Sequence, residues 1–124
     1  MGLSVKGKRY ITFAGLIAGD HPEIATCYPM MRDCMVEGEY QHKGMIIYYL
    51  KNAPYSFGSM SAEPLIDIFS GEPIKGVARG GGSDGVYSWP SVLAYYVEHY
   101  NVGLPEYFVS HILADVRARI ASTR

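Results

Sequence analysis

The stretch Ser83–His111, SDGVYSWPSVLAYYVEHYNVGLPEYFVSH, decides the fold. Asp84-Gly85 has the chemistry of a tight turn. Val86-Tyr87-Ser88-Trp89 alternates as a strand does. Pro90 opens a helix, in which Val92, Leu93, Tyr96, Val97 and Tyr100 share one face. Asn101 and Gly103 stop it. Pro105 then starts a second helix at its natural first-turn position. There Val109, Ile112, Leu113, Val116 and Ile120 form an apolar stripe. Glu106 lies at the positive end of that helix, and Arg117, Arg119 and Arg124 lie towards its negative end. Asp115 and Arg119 make an i,i+4 pair. The segment therefore reads as turn, strand, helix, break, helix, with Trp89, Leu93, Val97, Ile112 and Val116 in one core.

Working outward, Glu39 to Lys51 reads as helix, with Ile46, Tyr49 and Leu50 on an apolar face and Lys43 and Lys51 pointing away. Asn52-Ala53-Pro54 ends it, because the residue before a proline is pushed out of the helical region. Residues 55–60 and 65–69 read as short strands. Ser70-Gly71-Glu72-Pro73 is a turn, and Ile74 to Arg79 returns as a strand. Gly80 to Gly85 reads as a flexible, exposed loop. Residues 10–18 fit a strand or a short helix, and Asp20 is placed to cap a helix starting at Pro22. The expected class is α+β: a small antiparallel sheet packed against three to four helices. These include 39–51, 90–100 and 105–121, the last two C-terminal, and residues 1–124 form a single domain.

The chain has 124 residues, 48% of them hydrophobic, and a net charge of −1. That length buries one core without disulfides or metal. The charge gives no field that would draw nucleic acid or an anionic membrane. Eleven tyrosines stand out, and tyrosine is favoured at interfaces and half-buried edges. Cys27 and Cys34 would lie about 10 Å apart on one helix, too far for a bond. They read as reduced thiols of a cytoplasmic protein. Lys6, Lys8 and Arg9 before the apolar run Tyr10–Ala18 mimic a signal peptide. The charged gap from Asp20 to Glu23 breaks that pattern. No segment reaches the length of a membrane span.

Motifs for chemistry are sparse. Gly81-Gly82-Ser83-Asp84-Gly85 matches G-x-S-x-G, but a nucleophile elbow needs a helix directly after it, and a strand pattern follows here. The glycine run matches neither phosphate-binding fingerprint. His21, His42, His99 and His111 include no i,i+4 histidine pair, and the cysteines lack zinc spacing. His99 and His111 would meet only if the two C-terminal helices packed antiparallel. The expectation is no catalytic residue, no metal and no cofactor.

Two segments carry a resemblance. One is Asp67-Ile68-Phe69-Ser70-Gly71-Glu72. The other is Ser83-Asp84-Gly85-Val86-Tyr87-Ser88-Trp89, continuing through Leu93-Ala94-Tyr95-Tyr96-Val97 and Leu104-Pro105 to Phe108. With the helix end Tyr49-Leu50-Lys51-Asn52, they resemble small bacterial cytosolic proteins, some of which look like immunity proteins of polymorphic toxin systems. The resemblance implies a non-enzymatic binding protein that occludes a cognate toxin domain; from the charge and the lack of a span, no nucleic-acid or membrane partner is expected. Many toxin domains that act on nucleic acid are basic. The expected contacts are therefore the acids Glu37, Glu39, Asp67, Glu72 and Asp84, with Tyr55 and Tyr95 as aromatic anchors. Two other classes stay open: a small enzyme or small-molecule binder using the Gly80–Gly85 loop with Asp84 or His99, and a phage-encoded inhibitor of a host defence protein.

Overall fold

A computed structural model describes residues 9–17, 28–58, 65–77 and 80–122. Helix α1, Lys43–Lys51, buries Ile46, Tyr49 and Leu50 as their spacing predicts. It starts four residues later than Glu39. Gly38 and His42 take left-handed conformations (φ 79° and 62°), so the chain turns before it coils. Lys43 does not point away: its ammonium donates to the Asn101 side chain. The helix ends where the Asn52 N–H bonds the Tyr48 carbonyl, two residues before Pro54.

Three strands follow in one antiparallel sheet. β1 (Tyr55–Gly58) pairs with β4 (Gly80–Ser83), and β4 pairs with β5 (Ser88–Pro90). Between β1 and β4, β2 (Leu65–Ile66) and β3 (Pro73–Ile74) form a separate two-stranded ribbon. The expected strand at 65–69 is thus cut short by a turn at Asp67. Arg9–Ile11 runs parallel along the far side of β5, through Ile11 N–H to Ser88 O and Ser88 N–H to Arg9 O, both 2.8 Å. A helical turn at Ala14–Ile17 follows.

The glycine run corrects the sequence reading. Gly80–Gly82 is no exposed loop but the central strand, with Gly81 and Gly82 buried. Side chains are excluded by close packing. A Cβ on Gly81 would lie 2.3 Å from the Trp89 carbonyl oxygen, and one on Gly82 would lie 2.8 Å from the Ala53 Cβ. Glycine marks either freedom or close backbone approach, and the sequence alone does not separate them. The Asp84-Gly85 hairpin turn stands as expected. Ser83 closes it, its hydroxyl donating to Tyr87 O at 2.9 Å and accepting the Gly85 N–H at 3.1 Å. That is a turn role, and no helix follows Ser83 to make an elbow.

Pro90 belongs to β5, so α2 runs Leu93–Tyr100 and starts three residues later than its proline suggested. Leu93, Tyr96 and Val97 are wholly buried, and Asn101 ends the helix in a left-handed conformation. α3, Glu106–Ser122, begins one residue after Pro105. Phe108 and Ile112 carry its core contacts; Val116 is half-buried and Ile120 is 54% exposed. Trp89 joins the layers, its indole N–H donating to the Leu50 carbonyl at 3.1 Å. Among the described residues the architecture is α+β, a small antiparallel sheet with three helices longer than one turn, two of them C-terminal. Cys34 is a free, half-buried thiol in a 3-10 turn at Met31–Cys34, and burial raises its pKa. Cys27 and the expected helix start at Asp20 and Pro22 lie outside the described residues. Among the described residues, no helix is long and apolar enough to cross a membrane.

Candidate functional site

Two carboxylates organise the molecule. Asp67 sits in the turn between β2 and β3, 1% exposed. Its Oδ1 accepts the N–H groups of Phe69 (2.7 Å) and Ser70 (3.1 Å). Its Oδ2 accepts the hydroxyls of Tyr95 (2.5 Å) and Tyr100 (2.6 Å) from α2. Burial pushes the Asp67 pKa up, but these four bonds outweigh it and hold the carboxyl down at about 2. The hydrogen bond to Asp67 in turn pushes the Tyr95 hydroxyl up to about 12. Tyr96 completes the clamp by accepting the Ile68 N–H at 3.0 Å.

Asp84 is built the same way in the β4–β5 turn. Its Oδ1 accepts the N–H groups of Val86 (2.8 Å) and Tyr87 (2.7 Å). Its Oδ2 meets the Tyr49 hydroxyl of α1 at 2.5 Å and the His111 Nε2 of α3 at 2.7 Å. The Asp84 side chain is 1% exposed, against 25% for His111. Burial opposes its ionisation, yet the bonds from Tyr49, the two amides and His111 hold its pKa below the usual carboxylate range. The same Tyr49 hydroxyl lies 2.7 Å from Asp115 Oδ2. Asp115 pairs with Arg119 at 2.9 Å, as its i,i+4 spacing predicts. The Arg119 guanidinium also stands 5.5 Å from the centre of the Tyr49 ring. Burial, followed by the two carboxylates, raises the Tyr49 pKa far above that of an ordinary tyrosine.

Above this cluster, α1 and α3 leave a groove of about 170 Å³ bounded by Met45, Tyr48, Pro54, Val116, Arg119 and Ile120. Tyr48 is 70% exposed, and Tyr55, directly after Pro54, is 63% exposed. A second, more polar groove of about 440 Å³ lies beside Gly81 and Gly82, with Lys51, Lys75, Glu98 and His99 on its walls. Lys51 pairs with Glu98 across it at 3.2 Å.

The residues expected at a partner interface divide cleanly. Glu37, Glu39, Glu72 and Tyr55 are exposed. Asp67 and Asp84 are internal hydrogen-bond acceptors instead of solvated loop acids. Tyr95 is half-buried, bonded to Asp67 and packed on His99 with ring centres 4.5 Å apart. The two C-terminal histidines take different partners: His99 meets Tyr95, and His111 meets Asp84 and Tyr87. The sequence pairs His111 with His99 and Asp115 with Arg119, not His111 with Asp115. Their spacing on one helix was the available signal. Tyr49 was assigned to the core alone, although a buried tyrosine hydroxyl requires a polar partner.

Comparison of the chain with protein-family models, curated proteins and solved structures finds no match.

Proposed function

We propose that the chain is a non-enzymatic cytoplasmic binding protein that docks on and occludes a toxin domain, an immunity-type role. The observation that carries this reading is the exposed aromatic face of α1 and β1. Tyr48 stands in solvent on a groove edged by Met45, Arg119 and Ile120, and Tyr55, whose ring lies by Gly85, stands in solvent on β1. Tyrosine, methionine and arginine are the types enriched where proteins meet. The acids that sequence reasoning placed at a catalytic or contact site, Asp67 and Asp84, are committed to internal bonds, which argues against either one reacting with a substrate. Exposed Glu37, Glu39 and Glu72 are left to steer a basic partner.

The test is binding and protection. The purified chain is titrated by calorimetry into the product of any toxin gene that neighbours its own, and cells carrying both are scored for survival. Tight binding with protection, both weakened by Tyr48→Ala with Tyr55→Ala, supports the reading. No binding, together with turnover of a small substrate, overturns it.

The small-molecule alternative retains one physical support. The polar groove beside Gly81 and Gly82 offers Lys51, Lys75 and His99 to an anionic ligand. It would act through a rigid strand instead of the flexible Gly80–Gly85 loop.

A further inference from the structure

We propose that Asp84, His111 and Asp115 bind one divalent transition cation of the zinc class. One oxygen of each carboxylate and a ring nitrogen of His111 lie within 4.8 Å of one another. His111 and Asp115 stand one helical turn apart on α3 and project from the same face. Asp84 arrives from the β4–β5 turn with its Oδ1 already held by the Val86 and Tyr87 amides. The donor atoms are thus presented by a helix and a pinned turn, which lowers the cost of ordering them on binding.

A separate observation, the proton count, points to a cation. Tyr49 carries one hydroxyl hydrogen, yet its oxygen lies 2.5 Å from Asp84 Oδ2 and 2.7 Å from Asp115 Oδ2. It can donate to only one of them. The other carboxylate oxygen then faces an oxygen with no hydrogen between, a repulsive contact at that distance. Arg119 balances Asp115. Among the described residues, the basic group paired with buried Asp84 is the His111 imidazole.

A cation at this point would draw both carboxylate oxygens and leave Tyr49 donating to one of them from outside. His111 would bind through Nε2 as the neutral ring, releasing any proton it carried there. One imidazole and two carboxylates suit zinc, whereas magnesium and calcium prefer oxygen alone. His111 and Asp115 are 25% and 28% exposed, so the cation would have a route from solvent. Three protein donors would leave a coordination position open.

The rival source of charge is a proton on His111, and one experiment separates the two. The full chain, stripped with chelator, is titrated with zinc chloride at neutral pH by calorimetry while the histidine ring nitrogens are followed by NMR. Magnesium chloride is the control. The expected result is one equivalent of zinc, a shift of His111 ahead of the other histidines, and no response to magnesium. His111→Ala and Asp115→Asn should each lower zinc affinity at least about tenfold. Asp115→Asn sits on the more exposed side of the cluster and keeps the helix, so it guards against loss of fold in the histidine variant. Two results would overturn the proposal. One is a His111 signal that titrates with pH but ignores zinc. The other is zinc binding unchanged in both variants, which would place it on other histidines or the cysteines.

Discussion

Asp67 and Asp84 are held by the same four-point arrangement. In each, Oδ1 accepts the backbone N–H groups two and three residues ahead, and Oδ2 accepts donors from ring side chains on helices. Asp67 gathers Tyr95 and Tyr100 of α2; Asp84 gathers Tyr49 of α1 and His111 of α3. Each carboxylate closes its own turn and pins that turn to the helical layer. A small sheet with little apolar area is thereby fixed to its helices by buried polar contacts.

Replacing Asp67 tests the first clamp. Asp67→Asn retains shape and one acceptor oxygen, but its amide nitrogen cannot accept from Tyr95 and Tyr100. Leaving buried groups unpaired costs about 1–3 kcal/mol. Urea unfolding should show that loss with an unchanged dependence on denaturant concentration. A variant as stable as the parent would remove Asp67 from the account of the fold.

The acid side of the stability profile follows from the same residue. The Asp67 carboxyl is held at about 2 when folded, against 3.8 ordinarily. A folded-state pKa below the unfolded one means stability that is complete above the unfolded value. It is lost as pH falls from there through about 2. Asp84 contributes in the same direction. Thermal melts between pH 2 and pH 6 should therefore fall steeply at the acid end for the parent and less steeply for Asp67→Asn. Identical slopes would show that other carboxylates set the acid limit.

The glycines give opposite predictions at different sites. At Gly81 an added methyl would meet the Trp89 carbonyl, and at Gly82 it would meet Ala53. Gly81→Ala and Gly82→Ala should each cost about 1–3 kcal/mol by overpacking. Gly44, inside α1, has nothing within 4 Å of an added Cβ. Gly44→Ala should stabilise by about 0.5–1 kcal/mol through helix propensity. Melting temperatures of the three variants check the contrast. A neutral Gly82→Ala would return the glycine run to the status of a loose loop.

Helix faces were legible because their apolar spacing recurs over several turns: Leu93, Tyr96 and Val97 fall where periodicity puts them. The Asp84-Gly85 turn was legible because its chemistry is local. The central strand was not, since Gly80–Gly82 has no side chains to alternate and its packing partners Trp89, Phe57 and Ala53 lie elsewhere in the chain. The clamps were equally hidden. Asp67 and Tyr95 are 28 residues apart, and Tyr49 and Asp115 are 66 apart. No spacing rule links residues so distant. An aspartate in a turn looks solvated until the helices that cover it are placed.

Tyr48 separates function from fold. Its ring is 70% exposed and lies on the solvent side of α1, opposite the buried Ile46, Tyr49 and Leu50. Tyr48→Ala should change stability by no more than about 0.5 kcal/mol, as surface substitutions generally do. Leu93→Ala, at a wholly buried position, should cost about 2–5 kcal/mol. If the α1–β1 face engages a protein, Tyr48→Ala should weaken that complex mainly through faster dissociation, because aromatic anchors act after encounter. Charge reversal at exposed Glu37 and Glu39 should instead slow association and reduce its salt dependence. Surface plasmon resonance against a protein partner found by the binding test reads both rates. A Tyr48 variant that is fully stable and binds with parental rates would move the interface away from this face.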